Sequence, residues 1–242
     1  MSNLGASELL QVWERGQGGT APERALLLLS AAWPEASPAT LGELAVGERD
    51  GRLLALRERL FGRDMVCVTP CPGCGEQLEL PADTRQFTTS GITVREFGLE
   101  REGFRVRFRI PTGADLVACS SEPDVAAAER QLLRRCLLDT RRGEQPVELE
   151  ALPPALLEAM TQGLEAADPG ADLRVESTCP LCEHHWESTF DIVSFLWIEL
   201  QDWAIRVLRE VHVLATAYGW AEEDILQLSP WRRRLYLQLV GS

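Results

Sequence analysis

The stretches Cys71-Pro72-Gly73-Cys74 and Cys179-Pro180-Leu181-Cys182 decide the fold of this 242-residue chain. Each of them places two thiols two residues apart in a tight turn, an arrangement that holds one edge of a tetrahedral zinc ion. A second such turn supplies the opposite edge. Because four thiolates leave no coordination position for water or substrate, the two motifs predict a structural zinc ion and not a catalytic one.

Two other interpretations fit the same spacing. The cysteines can form two unrelated buried pairs, or each turn can hold a redox-active pair. We favour shared zinc because the chain has seven cysteines and its start has no secretory-signal pattern, which predicts a reducing compartment. Gly75 follows the first turn, whereas Glu183 follows the second, which is therefore expected to be less ideal. Cys67, His184 and His185 lie near the turns and are interpreted as packing or surface residues.

Apolar residues with helical spacing lie on both sides of the two motifs. Before the first motif, helices are predicted to begin near Leu9 and to cover residues 25–32 and 40–60, and Gly47 and Gly51 leave open a split of the last one. After the second motif, Gly219 is predicted to cap a long helix, and Ser229-Pro230 to start a final one. The long helix is indicated by an apolar stripe with steps of three and four, formed by Leu196, Leu200, Trp203, Val207, Val211 and Leu214.

Between the motifs the pattern changes to one of alternating strands and short helices. The clearest strand is residues 104–110, which alternates apolar residues with arginines, and Thr112 is predicted to cap the helix that follows. The other predicted strands are 77–80, 93–97, 172–178 and 185–190, with a turn at 101–103, helices at 114–119, 124–138 and 153–167, and a loop at 141–150 between the last two helices.

These elements together predict an α+β fold with helical N- and C-terminal segments around a split zinc ribbon that carries an inserted α/β segment. The corresponding division of the chain is an N-terminal helical segment of residues 1–62, the split ribbon with its insert at 63–190, and a C-terminal helical segment from 191 to 242.

Composition and motif content exclude several classes of function. A formal charge of −13 argues against a nucleic-acid partner, because phosphate contacts require a basic surface. The longest apolar run, residues 195–198, is followed by Glu199 and Asp202, so we expect no membrane insertion. No nucleophile elbow, Gly-rich phosphate loop or His-Glu-x-x-His motif is present, and the three histidines accompany no recognisable nucleophile. We therefore predict no enzymatic activity and no small-molecule substrate.

Three consecutive arginines, Arg232, Arg233 and Arg234, stand in the first turn of the final predicted helix, where they oppose the positive end of its dipole. One explanation is an acidic partner inside the protein, for which residues 222–224 are available. The other is a partner protein. Its predicted binding residues are of the types that anchor interfaces and comprise Trp220, Trp231, Arg232, Arg233, Arg234 and Tyr236.

The C-terminal sequence resembles that of small baseplate-associated proteins of contractile-tailed phages and of phage-like contractile injection systems, including relatives of the baseplate hub assembly chaperones. The cysteine turns and the stretch from Arg109-Ile110-Pro111-Thr112 to Asp115-Leu116 fit the same group. The residues that carry the resemblance are Phe195-Leu196-Trp197, Glu199-Leu200, Trp203-Ala204, Glu210-Val211-His212, Leu214-Ala215, Tyr218-Gly219-Trp220, Ile225-Leu226, Leu228-Ser229, Arg232-Arg233 and Tyr236-Leu237.

This resemblance implies a non-enzymatic role in building or completing a tail baseplate, with baseplate or spike proteins as partners. It also implies a cytoplasmic protein that can be incorporated into a phage-tail-like particle. The alternative function is a zinc-ribbon regulator that binds nucleic acid through residues 229–239. A metal-dependent hydrolase is a third function, and it would require an open zinc position that four thiolates do not provide.

Overall fold

A computed structural model of the protein describes residues 1–87 and 94–240, and it confirms the α+β class. The helices are α1 (Ala6–Arg15), α2 (Ala21–Ala32), α3 (Pro38–Gly42), α4 (Val46–Phe61), α5 (Gly113–Cys119), α6 (Val125–Cys136), α7 (Pro154–Ala167), α8 (Ile192–Tyr218), α9 (Glu222–Gln227) and α10 (Pro230–Val240). The strands are β1 (Asp64–Pro70), β2 (Gln77–Asp83), β3 (Glu96–Arg101), β4 (Phe104–Arg109), β5 (Leu137–Arg142), β6 (Gln145–Pro146), β7 (Arg174–Thr178) and β8 (His185–Thr189).

The chain divides into two compact units. The helical unit consists of Met1–Ser37 together with the chain from Val193 onward, and the sheet unit consists of Pro38–Ile192. The division of the sequence into segments 1–62, 63–190 and 191–242 stays a prediction. No helix within the described residues is long and apolar enough to cross a membrane.

The core of the helical unit lies along the predicted stripe of α8. Leu200, Val207 and Leu214 are buried, as the spacing of the stripe predicts. Gly219 has φ of +70°, the left-handed conformation expected of a residue that ends a helix. The buried cluster of this unit contains Leu10, Ala204, Val207, Val211, Leu214 and Ile225.

The sheet unit contains an antiparallel sheet with the strand order β3-β4-β5-β6. The alternation in β4 is confirmed, because its apolar side chains are buried while Arg105 and Arg107 pair with Glu100 and Glu96 on the exposed face. The predicted turn is also confirmed: Arg101 pairs with Phe104 across a two-residue turn. The buried cluster of this sheet contains Phe104, Val106, Phe108, Leu149, Leu152, Leu156 and Met160.

Two further antiparallel hairpins carry the cysteine motifs. β1 pairs with β2 from Asp64↔Asp83 to Pro70↔Gln77, and β7 pairs with β8 from Arg174↔Thr189 to Thr178↔His185. Each cysteine motif therefore lies in the turn that joins two short strands, as expected for the two halves of a ribbon.

Several predicted boundaries were wrong. The helix predicted at 40–60 is split, but the break lies between the end of α3 at Gly42 and the start of α4 at Val46, and not at Gly47 or Gly51. The helix predicted at 124–138 ends at Cys136, because the next residues pair with β4 as β5. Residues 141–150, expected to form a loop, include the end of β5 and all of β6. The strand predicted at 93–97 begins at Glu96, and position 93 lies outside the described residues.

Candidate metal centre

The sulfur atoms of both motifs converge within the sheet unit. The Sγ atoms of Cys71, Cys74, Cys179 and Cys182 all lie within 4.8 Å of one another. Cys71 Sγ is 3.6 Å from Cys182 Sγ, and Cys74 Sγ is 3.7 Å from Cys179 Sγ. Zinc–thiolate bonds of about 2.3 Å place the sulfurs of a tetrahedral site about 3.8 Å apart. The four sulfurs are therefore close enough together to hold a metal ion, and two of their separations match those of a tetrahedral zinc site.

The two turns have the same backbone hydrogen bonds. In each turn the amide of the first cysteine donates to the carbonyl five residues later, at 2.8 Å in the first turn and 2.9 Å in the second. The amide four residues after that cysteine donates back to its carbonyl, at 2.8 Å in the first turn and 3.0 Å in the second. The motifs are therefore two copies of one local structure.

The residue after each motif has a left-handed backbone conformation. Gly75 has φ of +77°, and Glu183 has φ of +57°. This conformation suits glycine, whereas a residue with a Cβ atom adopts it at a cost of about 1–2 kcal/mol. The expectation that the second turn is less ideal than the first thus has a local structural basis.

Backbone amides and neighbouring thiols set the acidities in the cluster. Burial opposes ionisation of Cys179, but the amides of Cys182 and Leu181 donate to its sulfur and lower its pKa to about 7. At Cys182 the His184 amide lowers the pKa, but desolvation and the neighbouring sulfurs outweigh it and raise the pKa to about 12. The backbone thus stabilises one thiolate, whereas ionisation of all four thiols requires a nearby cation, which Zn²⁺ would supply.

Gly73 of the first turn lies against the second turn. A Cβ atom at this position would lie 2.9 Å from both Cβ and Cγ of His184, and 3.4 Å from Cys182 Sγ. The equivalent position of the second turn holds Leu181, whose side chain is exposed. Only the first turn therefore requires glycine inside its motif.

A small apolar cluster supports the sulfurs. Cys71 and Cys179 are buried together with Leu78 of β2, and Trp186 of β8 packs against them. The ring of Trp186 also stacks on His184, with 6.1 Å between the ring centroids. The strands that follow the two turns thus both support the sulfurs, β2 with Leu78 and Leu80 and β8 with Trp186.

The remaining cysteines and histidines lie outside the sulfur group. Cys67 is half-buried in β1, and His184 and His185 are exposed. Cys119 and Cys136 are buried, and burial raises the pKa of Cys136 to about 12, which keeps its thiol protonated and unreactive.

The predicted partner-binding residues occupy different environments in the helical unit. Arg233 is only 3% exposed; its Nε donates to Glu210 Oε2 at 3.0 Å, and another of its nitrogens donates to the Leu228 carbonyl at 2.9 Å. This arginine thus has an internal acidic partner, supplied by α8 and not by residues 222–224. Trp220 and Tyr236 are half-buried and pack edge to face, with 4.9 Å between ring centroids.

The other three predicted residues are on the surface. Trp231 is 67% exposed, and Arg232 and Arg234 are exposed beside it. Their role in binding a partner stays a prediction.

In the stretch from Arg109 to Leu116, hydrogen bonds converge on the side chain of Asp115. Asp115 is buried and accepts two hydrogen bonds from Arg109, at 2.6 and 3.0 Å, and one from Arg135 at 2.8 Å. Its carboxylate also accepts from the amide of Thr112 at 2.9 Å, while the Thr112 hydroxyl caps α5. The capping role of Thr112 follows from the sequence, but the two arginines on one carboxylate were not anticipated.

The fold and the cysteine cluster together define an α+β protein in which four cysteine sulfurs can hold a metal ion. The family model described as T4 bacteriophage base plate protein matches residues 28–197. This range is more than half of the chain, and the chain belongs to that family. Comparisons with curated proteins and with solved structures gave no significant match.

The family match confirms the predicted relationship to phage baseplate proteins. It includes both cysteine motifs and the stretch from Arg109 to Leu116, and it ends at Trp197. Most of the C-terminal residues on which the resemblance was based therefore lie beyond the matched range.

Proposed function

We propose that the protein is a non-enzymatic structural component or assembly factor of a contractile-tail baseplate, stabilised by one structural zinc ion. The family match over residues 28–197 carries the proposal for the baseplate. The convergence of four thiols from two distant motifs carries the proposal for zinc.

The zinc ligands are Cys71, Cys74, Cys179 and Cys182, and the two hairpins that bear them form a split zinc ribbon. The chemistry that zinc supplies in such a site is cross-linking, because four thiolates fill its coordination sphere. The hairpins enclose the stretch that forms the four-stranded sheet and α5 to α7. The ion would therefore fix the two ends of that stretch to each other.

The C-terminal resemblance supports a more specific assignment, to the group related to the baseplate hub assembly chaperones of phages and phage-like contractile injection systems. Its partners on this proposal are tail baseplate or spike proteins. The protein would act in the cytoplasm, where tails assemble, and would be incorporated into the particle. The nucleic-acid alternative loses support because burial of Arg233 leaves only Arg232 and Arg234 exposed in the predicted recognition helix.

Deletion of the gene from a phage or a particle-producing strain tests the proposal. We expect incomplete tails without functional baseplates in electron micrographs, and recovery of complete particles when the gene is supplied from a plasmid. Normal yields of complete, active particles from the deletion strain would contradict a role in the baseplate.

A further inference from the structure

α10 presents an apolar stripe to solvent. Trp231, Leu235 and Leu239 are 67%, 40% and 64% exposed, respectively. They are spaced four residues apart and therefore share one face of the helix, over a length of about 12 Å. The opposite face is the one that packs, since Arg233 is buried and Tyr236 is half-buried.

Two arginines flank this stripe. With about 100° between successive residues of an α-helix, Arg232 and Arg234 lie on opposite sides of the row formed by Trp231 and Leu235. Within residues 1–87 and 94–240 neither arginine forms an ion pair, although the acidic residues 222–224 are exposed on the preceding helix. α10 itself contains no acidic residue. The exposed charge of the helix is therefore entirely positive, in a chain whose net charge is −13.

We propose that this α10 face, formed by Trp231, Leu235 and Leu239 with Arg232 and Arg234 at its borders, binds an acidic amphipathic helix of another tail protein. The proposal rests on the baseplate function proposed above and names the chemistry of the partner. An apolar stripe with charged borders is the surface that a second amphipathic helix recognises, and the border charges select the partner. A complementary helix carries apolar residues between two rows of Asp or Glu.

A second copy of the chain fits this face poorly. In a symmetric contact between two α10 helices, both exposed faces would carry only positive charge, and such like-charge contacts oppose association.

A photo-cross-linking amino acid in place of Leu235 tests the proposal in cells that assemble the particle. We expect a covalent product with another tail protein, and its cross-linked segment should carry apolar residues at helical spacing with Asp or Glu on both sides. The control places the same amino acid at Val213, an exposed position of α8, and should not yield this product. A product with a second copy, with lipid or with a segment that lacks flanking acidic residues overturns the proposal, as does the absence of any product.

Charge reversal tests the role of the arginines. Arg232→Glu combined with Arg234→Glu should reduce the yield of the cross-linked product about tenfold or more. The matched control is Arg206→Glu combined with Arg209→Glu, which changes the net charge equally at exposed positions of α8. Lysines in place of the acidic residues of the captured segment should restore the yield with the α10 double variant. Equal losses in both double variants would attribute the effect to net charge and overturn the proposal.

Complementation separates this proposal from the proposed function. Trp231→Ala combined with Leu235→Ala should melt at the temperature of the unchanged protein but fail to restore particles to the deletion strain. If the folded double variant restores particles fully, the docking proposal is wrong and the baseplate function stands. If the deletion strain already makes normal particles, the baseplate function is the one that is wrong.

Discussion

Asp168 Oδ2 accepts a hydrogen bond from the amide of Gly47 at 2.9 Å, and the two residues are 121 positions apart in the sequence. Gly47 lies in the first turn of α4, where backbone amides have no partner within the helix. Asp168 therefore caps the helix from a distant part of the sheet unit, a role that the local residue Ala45 cannot fill with its side chain. Within the described residues, the other carboxylate oxygen of Asp168 is buried without a hydrogen-bond partner.

This contact gives the first prediction, in which two substitutions of Asp168 differ in size of effect. Asp168→Ala removes the cap and should lower the free energy of unfolding by about 1–2 kcal/mol at neutral pH. Asp168→Asn keeps an oxygen for the Gly47 amide but removes the buried charge, so it should cost less than the alanine variant. Urea denaturation of the three proteins measures both effects, and an asparagine variant less stable than the alanine variant would contradict this account.

The pH dependence follows from the same burial. Desolvation raises the pKa of Asp168 above its usual value of 3.8, despite the hydrogen bond from Gly47. The pH-dependent part of its contribution to stability is therefore complete below pH 3.8 and is lost as the pH rises through the higher pKa of the folded state, while the cap on the Gly47 amide remains. The stability of Asp168→Asn relative to the unchanged protein should accordingly increase as the pH rises from 4 toward neutrality, as measured by denaturation at several pH values.

Glycine at position 47 is required by the proximity of the carboxylate. A Cβ atom there would lie 2.1 Å from Asp168 Oδ1 and 2.9 Å from the backbone of Gly170. Gly47→Ala should therefore displace the cap and destabilise the protein by about 1–3 kcal/mol, although alanine favours helices. Gly5→Ala is the control, because its Cβ would meet only the flexible carboxylate of Glu8 at 3.6 Å.

Zinc binding gives the second prediction. The purified protein should contain one zinc ion per chain by mass spectrometry of metals, and Cys74→Ser or Cys182→Ser should lose it. Structural zinc contributes on the order of 10 kcal/mol in zinc peptides, so the loss should lower the Tm by far more than a surface substitution does. Cys67→Ser is the control and should retain the metal. Metal-free protein with an unchanged Tm would rule out a structural role for zinc.

The left-handed residues after the motifs give the third prediction. Glu183→Gly should stabilise the protein by about 1 kcal/mol, because φ of +57° is unfavourable for glutamate. Glu183→Ala removes the same side chain and keeps the unfavourable backbone, so it should give no comparable gain. Gly75→Ala should lower stability by a similar amount in the first turn. Equal stabilities of the glycine and alanine variants at position 183 would contradict this explanation.

The contact between the two turns gives the fourth prediction. Gly73→Ala should push His184 away and weaken zinc binding, because its new Cβ would lie 2.9 Å from that ring. Competition with a chromogenic chelator measures the change in affinity. Leu181→Ala is the matched control at the equivalent position, where the side chain is exposed, and it should bind zinc as tightly as the unchanged protein. Similar zinc affinities for both variants would show that the first turn can move away from His184 without weakening the metal site.

The ion pairs of the buried Asp115 give the fifth prediction. Asp115→Asn leaves the solvent-accessible Arg109 and Arg135 without their charged partner and should cost about 1.5–3 kcal/mol, the range for hydrogen bonds to charged groups. Asp139→Asn affects an exposed pair with Arg141 and should cost less than about 1 kcal/mol. Chemical denaturation at pH 7 compares the two variants, and comparable losses would argue against a special role for the buried pairs.

Lowering the pH should reduce the stability that Asp115 contributes, whereas it favours the buried, protonated form of Asp168. Burial alone would raise the pKa of Asp115, but hydrogen bonds from Arg109, Thr112 and Arg135 hold it well below its usual value of 3.8. The stability that it contributes is present above pH 3.8 and is lost as the pH falls toward the lower pKa of the folded state. The difference in stability between the unchanged protein and Asp115→Asn should therefore shrink in acid below that pH.

The sequence predicted those features that depend on local chemistry. The spacing within each cysteine motif predicted a tight turn, and the need of a tetrahedral ion for four ligands predicted that the two turns meet. The stripe of α8 and the turn before Phe104 were predicted from local residues alone. For each turn and for the stripe, the residues that determine the structure are neighbours in the chain.

Features that depend on distant pairing could not be predicted in this way. β1 was missed because Val66 and Val68 point to its exposed face, so its apolar residues do not alternate with polar ones. Leu137 continues a helical pattern but pairs with Phe108 of β4. The contact between Gly47 and Asp168 has no local sequence signal, because each residue is ordinary in its own segment.

The separation of the cysteine motifs has a consequence for biosynthesis. Cys74 and Cys179 meet across 105 residues, so a ribosome that adds about 5–20 residues per second makes the second pair of thiols about 5–20 s after the first. During that interval the nascent chain exposes a half-built site. Translation speed and the supply of metal at the ribosome should therefore influence how much of the newly made protein reaches its folded form.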